Sequence, residues 1–515
     1  MIAVVDERSA EEGKQIKRGN VIYSLQYLRA LAAFGVVLCH ASYYVKVLRG
    51  DGRMWEIFDR AGGLGVGLFF AISGYLMAQL AQNTPPMRFL VHRIVRIYPI
   101  YWICVLTVVF LGIPFGAYTW PNTGSLLLVP GLTQAYTLGV EWTLPFELAF
   151  YLIIFLIMVA GLVRYIPIIA VIWVLLIQLF LVIRPDLQQG QFPGLLHLPL
   201  SAFSLPFTMG LLVPFLVSHK MVGSATPLIA FGFLVSAESM VTISRGMFYG
   251  FSAVGCTLLV AWAVRPTRQS KEPNPSLLAL GDWSYALYLC HVPVIIALCK
   301  LMPASVASMQ LWFAAVGAPI VVAVFVGKLD ISLYRGLKRR LDGSSKRVTN
   351  LICGIFLITI FSFSSVTYYH SFKNVWIARG IDPIGRQLES SLAAGGAQMN
   401  LRLAAESSGL HYDSKLEGHF DGVYRLPEEV RVHGWAADSA SRRINVLIFH
   451  CGNYLGVAPR DSARPDVAKS LGIGDANSGF THNLRMRGGS CSSNQVDALI
   501  LGPTSEFAIF SSRFN

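Results

Sequence analysis

The sequence predicts an all-α polytopic membrane protein, a ten-helix core plus an eleventh helix, followed by a small C-terminal β-sandwich-like domain. Only 14% of its 515 residues are charged and 54% are hydrophobic, whereas soluble domains carry about 25% charged residues. Apolar runs of the length that a membrane-spanning helix needs, about 20 residues, occur eleven times. From residue 376 onward the pattern changes to short alternating segments, which are typical of β-strands.

The apolar runs define the expected domain organisation. The seventh run is the weakest, because Glu238 interrupts it. The eleven runs cover residues 25–46, 62–81, 98–117, 141–161, 165–183, 197–218, 225–242, 247–264, 281–301, 308–327 and 349–370. We therefore expect a cytoplasmic tail (1–20), a ten-helix membrane domain (21–345), an eleventh membrane helix (349–370), a linker (371–418) and an extracytoplasmic β-domain (419–515).

Charge distribution predicts the orientation. Lys and Arg concentrate in the N-terminal tail and in every second connection between runs, so the positive-inside rule places the N-terminus in the cytoplasm. An odd number of helices then places the C-terminal domain outside the plasma membrane. Residues 1–375 contain 28 basic and 15 acidic side chains, and the remainder contains 14 of each. Topology explains this basicity, so we expect no nucleic-acid partner. The oligomeric state stays open.

The C-terminal segment shows turn chemistry. "INVLIFH" and "YLGVAP" flank Cys451-Gly452-Asn453, which predicts a β-hairpin. Asp438 and Asp466 lie in turn-like stretches, where aspartates are more often caps than catalysts. Cys451 and Cys491 are the two cysteines of this part, and whether they form a disulfide is left open. No Cys or His spacing suited to a metal ligand set appears in the chain, so no metal is expected.

Two ionisable residues, whose burial in a membrane costs free energy, bracket the first apolar stretch, "LRALAAFGVVLCH". Arg29 and His40 are eleven residues apart, close to three helical turns, so both lie on one face, about 16 Å apart. A snorkelling arginine and a hydrogen-bonded core histidine would explain them. Ionisable groups inside a membrane are, however, functional candidates, and this pair could line the path of a long anionic ligand.

Further polar groups follow in later runs. Arg93 and Arg96 are one turn apart at the expected cytoplasmic boundary; topology alone or a phosphate clamp would account for them. Glu141 lies at the expected outer rim, while Glu147 lies almost two turns deeper, where a carboxylate needs a basic partner. In "GGLGVGLFFAISGYLMA", Gly63, Gly67 and Ala71 follow a four-residue spacing, which favours close helix packing.

The ninth run carries a polar stripe. Ser284, Tyr288 and His291 fall at i, i+4 and i+7 in "GDWSYALYLCHVPV", so they share one helical face. Such a stripe can join helices or line a site. Together with the arginines, His40 and Glu147, this stripe gives the apolar runs more polar side chains than helix packing requires.

Five segments, in this order, resemble the membrane acyltransferase-3 family of bacterial O-acyltransferases: "YLRALAAFGVVLCH", "GVGLFFAISGYLM", "HRIVRIYPIYW", "EWTLPFELAFYL" and "WSYALYLCHVPV". The resemblance covers about residues 20–345. The family's Arg-X10-His motif falls on Arg29 and His40, and its Arg-X2-Arg motif on Arg93 and Arg96. Its acidic helix position falls on Glu147 and its later histidine on His291.

This resemblance implies an O-acetyltransferase of the bacterial inner membrane, with acyl-CoA, most simply acetyl-CoA, as donor. The implied acceptor is a hydroxyl of an exopolysaccharide, a lipopolysaccharide or a lipid-linked saccharide. Its implied catalytic residues are His40, Glu147 and His291. Arg29, Arg93 and Arg96 would bind the donor. We expect Glu141, Ser284 and Tyr288 to contact substrate.

Several alternatives stay open from the sequence. His40 could act as a general base in a direct transfer, or the acyl group could first be carried by His40 or Ser73. A multi-helix transporter or flippase for a glycan or acyl precursor is the main competing class, although no internal repeat of the kind that transporters often show is evident. A scaffold whose outer domain binds glycan is the third.

Overall fold

The computed structural model describes residues 12–112, 121, 123–129, 137–183, 198–240, 245–266, 274–303, 305–395, 399–425, 429–440, 444–460, 464–472, 478–485 and 494–514. The chain divides into two units, Met1–Ser365 and Val366–Asn515. Each is described by itself.

The first unit is helical. Its helices are α1 (Glu12–Arg49), α2 (Arg53–Phe58), α3 (Ala61–Asn83), α4 (Pro86–Gly112), α5 (Thr123–Leu126), α6 (Leu144–Val159), α7 (Ile166–Ile183), α8 (Leu205–Gly210), α9 (Val213–Ser218), α10 (Thr226–Met240), α11 (Arg245–Val264), α12 (Pro275–Asp282), α13 (Ser284–Leu301) and α14 (Ser308–Asp342). The boundary between the units falls within α15 (Lys346–Gly395).

Within the described residues, nine helical segments are long and apolar enough to cross a membrane. They coincide with nine of the eleven predicted runs, and the sixth and seventh runs form the shorter apolar segments Ala202–Ser218 and Thr226–Met240. The sixth run is interrupted because α8 and α9 each have a proline as their second residue, Pro206 and Pro214, whose missing N–H and fixed φ suit a helix start and not its interior. The prediction of a polytopic helical membrane protein is confirmed.

Close helix contacts occur on α3, but only partly at the predicted positions. A methyl group on Gly63 would meet no atom within 4 Å, whereas one on Gly74 would lie 2.1 Å from the carbonyl oxygen of Phe207 in α8. Reciprocally, a methyl group on Gly210 would lie 2.3 Å from the Ala71 carbonyl oxygen. Gly74 and Gly210 therefore let the backbones of α3 and α8 touch. Of the predicted small-residue face, Ala71 takes part in this contact.

In the part of the second unit that the structure describes, eight strands form two sheets. The strands are β1 (His411–Tyr412), β2 (Leu416–Arg425), β3 (Glu429–Asp438), β4 (Asn445–His450), β5 (Asn453–Ala458), β6 (Gly479–Arg485), β7 (Gln495–Leu501) and β8 (Glu506–Arg513). One sheet has the order β1-β8-β7-β4-β5 and the other β2-β3-β6. All neighbours pair antiparallel except β1 and β8.

Strand β4 explains how the two layers form. Val446 and Ile448 point into the core between the sheets, while Leu447 and Phe449 pack on the opposite face. Burial on both faces accounts for the continuous apolar string in this strand. The predicted β-domain is thereby confirmed.

The predicted hairpin joins β4 and β5. His450 pairs with Asn453, and the two turn residues, Cys451 and Gly452, have φ of 52° and 74°. Two successive positive φ values are those of a type I′ turn. Cys451 is disulfide-bonded, and Cys491, whose pairing with it the sequence left open, lies outside the described residues.

Residues expected to form a linker are largely helical. Helix α15 continues to Gly395, and α16 (Leu401–Ser407) follows it. Leu388 and Leu401 pack against the outer face of the five-stranded sheet, because this face needs an apolar cover. Asp438 accepts a hydrogen bond from the Ala440 N–H at 2.9 Å, as expected for an aspartate in a turn. A short helix, α17 (Pro465–Leu471), contains Asp466 in its first turn.

Candidate active site

A cavity lies among α1, α3, α4, α6 and α13. Six of the nine predicted site residues line it: Arg29, Arg93, Arg96, Glu147, Ser284 and Tyr288. Ser73 also lines it, whereas His40, His291 and Glu141 do not.

Arg29 connects α1 to the polar stripe of α13. Its Nε and Nη2 donate to the Ser284 hydroxyl oxygen over 3.2 and 3.0 Å, although the two residues are 255 apart in sequence. The arginine is 9% exposed and Ser284 carries no charge. Arg29 therefore presents its positive charge to the cavity with a neutral hydrogen-bond partner.

Arg96 has a partner, Asp330, that the sequence pattern did not predict. Its Nη1 donates to both carboxylate oxygens of Asp330 in α14, at 2.8 and 2.7 Å. Both side chains are buried, with 10% and 3% of their surfaces exposed. Aromatic rings of Tyr285 and Tyr334 lie 4.8 and 5.6 Å from the guanidinium carbon. The available signal was an acidic residue between an apolar run and a basic segment.

Glu147 is bonded to a tyrosine. The Tyr151 hydroxyl donates to its Oε2 at 3.0 Å, and the Arg93 guanidinium carbon lies 5.9 Å from the centre of the Tyr151 ring. Arg93 is 4% exposed. The three cavity arginines are near enough to interact electrostatically with Glu147. Cations thus outnumber the single carboxylate on the cavity wall, which favours an anionic ligand.

His40 and His291 contact each other. The His291 Nε2 lies 3.2 Å from the His40 Nδ1, with ring centres 4.9 Å apart. The His291 Nδ1 faces the carbonyl oxygens of Leu287 and Tyr288 at 3.1 and 2.8 Å.

These contacts assign the proton positions in the neutral pair. A carbonyl oxygen only accepts, so the His291 Nδ1 carries a proton and its Nε2 is an acceptor. The His40 Nδ1 faces the Val36 carbonyl oxygen at 2.9 Å and therefore donates. The His40 Nε2 is left with its lone pair, and within the described residues no hydrogen bond to that atom is found.

Tyr288 lies between the cavity and the histidine pair. It lines the cavity, and its ring centre is 5.9 Å from that of His291. Its hydroxyl donates to the Val140 carbonyl oxygen and lies 2.7 Å from the Thr143 hydroxyl. The His40–His291 pair is therefore one side chain removed from the cavity.

Glu141 has a different place from the one predicted. It is completely buried, and its two oxygens accept the backbone N–H groups of Leu138 and Val140 at 2.6 and 3.1 Å. Both oxygens are used to fold the loop before α6, so the expected substrate contact is corrected to a structural role. Glu147, for which a basic partner was expected, accepts its hydrogen bond from the Tyr151 hydroxyl.

The arrangement combines a cation-lined cavity with an imidazole whose free nitrogen is fixed by a second imidazole. Such a site can hold an anionic group and accept a proton from a neighbouring hydroxyl. The family model described as "Acyltransferase domain" matches residues 22–328. No curated protein and no solved structure gives a significant match to the chain.

Proposed function

Because the chain belongs to the acyltransferase-3 family and is a multi-pass membrane acyltransferase, we propose that it transfers an acyl group from acyl-CoA to a hydroxyl of a glycan. Acetyl is the proposed group, and an exported or lipid-linked saccharide is the proposed acceptor. The protein would lie in the inner membrane with its N-terminus in the cytoplasm and its C-terminal β-domain outside.

The observation that carries the proposal is the cation-lined cavity beside the histidine pair. Arg29, Arg93 and Arg96 lie on its wall, and arginines are well suited to phosphate groups because their planar donors bind two oxygens at once. The phosphates of acyl-CoA would lie among them, and the thioester would extend toward Tyr288. Ser284 would orient Arg29, with which it is hydrogen-bonded.

His40 would be the general base. The acceptor hydroxyl oxygen attacks the thioester carbonyl carbon while its proton moves to the His40 Nε2. The tetrahedral intermediate then collapses, the carbon–sulfur bond breaks, and the proton passes from His40 to the departing thiolate. An ester and free coenzyme A result. His291 would be a positioning residue, because its Nε2 accepts the His40 Nδ1–H and so keeps the other nitrogen unprotonated.

Glu147 would act on the donor side. Its carboxylate is bonded to Tyr151 and interacts electrostatically with three arginines. Before the donor binds, its negative charge would offset the repulsion among the three guanidinium groups. When the donor binds, the phosphates would take over this role.

Mass spectrometry of surface glycan from a deletion strain tests this function. Wild-type protein should restore an acyl ester, and His40→Ala should lower its formation by about 10²–10⁴-fold, the usual contribution of a general base. Ser42→Ala is the matched control, since Ser42 is buried on the same helix and bonded to Leu38 and Trp312. Full ester formation by His40→Ala at equal protein level would refute the proposed role of His40.

The positioning role of His291 has its own test. His291→Gln keeps an acceptor for the His40 Nδ1–H, so it should lose less kcat than His291→Ala, with KM for acyl-CoA unchanged in both. Replacement of orienting groups of this kind costs about 10–100-fold where it has been measured at metal sites. Equal losses in the two variants would contradict the proton assignment.

A further inference from the structure

An exposed aromatic surface lies one helical turn beyond His40. Tyr43 follows His40 by three residues on α1, and its ring centre is 5.4 Å from that of Trp55 in α2. The Lys46 ammonium lies 5.5 Å from the Trp55 ring centre. Tyr43 is 38% exposed, and Lys46 is exposed as well. We refer to Tyr43, Lys46 and Trp55 as the aromatic platform.

Buried neighbours fix the position of the aromatic platform. The ring of Tyr44 contacts Tyr43 edge to face, with centres 5.1 Å apart, and Tyr44 packs against two of the buried apolar clusters. The platform side chains thus show ring surface and polar groups to the outside while their positions are fixed by buried neighbours. A fixed aromatic surface costs little conformational entropy when it binds a ligand.

We propose that the aromatic platform binds the saccharide acceptor, and this inference rests on the proposed acyl transfer. A pyranose ring has one face of C–H bonds, whose partial positive charge suits the electron-rich face of an aromatic ring. Its hydroxyls can bond to the Tyr43 hydroxyl and the Lys46 ammonium. Three residues of α-helix rise about 4.5 Å, so a sugar on Tyr43 can present a hydroxyl to His40.

The position of the aromatic platform also indicates that it binds the acceptor and not the donor. Arg29, which faces the cavity, is eleven residues before His40 on α1, and the platform begins three residues after it. His40 therefore separates the cation-lined cavity from the aromatic platform along the same helix. A direct transfer requires the acceptor hydroxyl to reach both the base and the thioester carbonyl, and a base located where the donor and acceptor regions meet fits this requirement.

Tyr and Trp also collect at membrane interfaces without binding ligands, and the chain offers a matched control for that case. Arg265 lies 5.4 Å from the ring centre of Trp262 on α11, and Trp262 is 38% exposed. This second cation–aromatic pair reproduces the chemistry of Lys46 and Trp55 without a histidine pair beside it.

The test is saturation-transfer NMR on the full chain in lipid nanodiscs that contain no glycoside detergent, with methyl α-D-glucopyranoside as probe. Wild-type protein should transfer saturation to the C–H face of the sugar. Trp55→Leu and Tyr43→Leu should weaken binding roughly 3- to 10-fold. Trp55→Phe should retain most of it, and Trp262→Leu should bind like wild type.

Absence of transfer in wild-type protein would overturn the inference, as would unchanged binding in Trp55→Leu or an equal loss in Trp262→Leu. Acyl transfer measured on the same preparations separates the two proposals. Sugar binding at Trp55 without acyl transfer would refute the proposed function alone. Acyl transfer with a KM for acceptor that Trp55→Leu leaves unchanged would refute the platform alone.

Discussion

Replacing Asp330 by asparagine removes the negative charge that neutralises Arg96 inside the membrane part. The two oxygens of Asp330 lie 2.8 and 2.7 Å from the Arg96 Nη1, and the carboxylate is 3% exposed. Unit charges 2.7 Å apart attract by about 6 kcal/mol at an effective dielectric constant of about 20. Desolvation offsets part of this attraction, and breaking a buried pair by removing one partner costs about 3–5 kcal/mol. We expect a loss of that size for Asp330→Asn.

A second contact between the same two helices provides the control. The His92 Nε2 lies 2.9 Å from the Asp342 Oδ1, but 44% of the Asp342 side chain is exposed. Water screens such a pair, so Asp342→Asn should cost about 0–1 kcal/mol. The free energy of unfolding in mixed detergent micelles measures both. An Asp330→Asn variant as stable as Asp342→Asn would refute the reasoning.

The double variant Arg96→Met with Asp330→Leu separates stability from donor binding. Replacing both charges by apolar side chains removes the unpaired charge and should restore stability relative to Asp330→Asn. The KM of the double variant for acyl-CoA should exceed that of wild type, because the Arg96 guanidinium is gone. A wild-type KM would show that Arg96 serves packing and does not bind the donor.

The remaining predictions concern packing, a buried carboxylate and pH. Gly74→Ala should lower stability by about 1–3 kcal/mol through overpacking, whereas Gly63→Ala, which meets open space, should leave the unfolding free energy unchanged. Glu141→Gln should cost about 1–3 kcal/mol, because one side-chain oxygen is lost and a buried backbone N–H is left unpaired; equal unfolding free energies would contradict its loop-folding role. In the β-domain, hydrogen bonding from Arg464 lowers the pKa of Asp466 to about 2. A pKa below the unfolded value of about 3.9 means that the pair stabilises the fold above about pH 4 and loses this effect as pH falls through about 2. An NMR titration of the carboxyl group should show the pKa rise toward about 3.9 in Arg464→Gln, and an unmoved midpoint would exclude the pair as the cause.

Hydropathy and spacing predicted which residues share one face of a helix, but not which neighbouring helix that face contacts. The stripe of Ser284, Tyr288 and His291 follows from a 3.6-residue period. The bonds of Ser284 to Arg29 and of His291 to His40 do not, because nothing in a period identifies the neighbouring helix. The pairing follows from the tertiary structure, in which α1 and α13 lie side by side.

Other differences have local causes that the sequence contained. Pro206 and Pro214 marked the interruption of the sixth run, although mean hydropathy over a window does not register them. Spacing places Glu141 at the expected rim, and only the loop geometry shows its bonds to two backbone N–H groups. Asp330 was missed since its partner is 234 residues away.

The distance in sequence between paired groups has a consequence for biosynthesis. Ser284 follows Arg29 by 255 residues, and His291 follows His40 by 251. At about 5–20 residues per second, a ribosome needs roughly 13–51 s to cover the longer interval. During this time the first helix resides in the bilayer before α13 has been made. Its insertion therefore cannot draw on the contacts with Ser284 and His291, and the Arg29 guanidinium needs another polar partner, such as lipid headgroups or the insertion machinery, until α13 arrives.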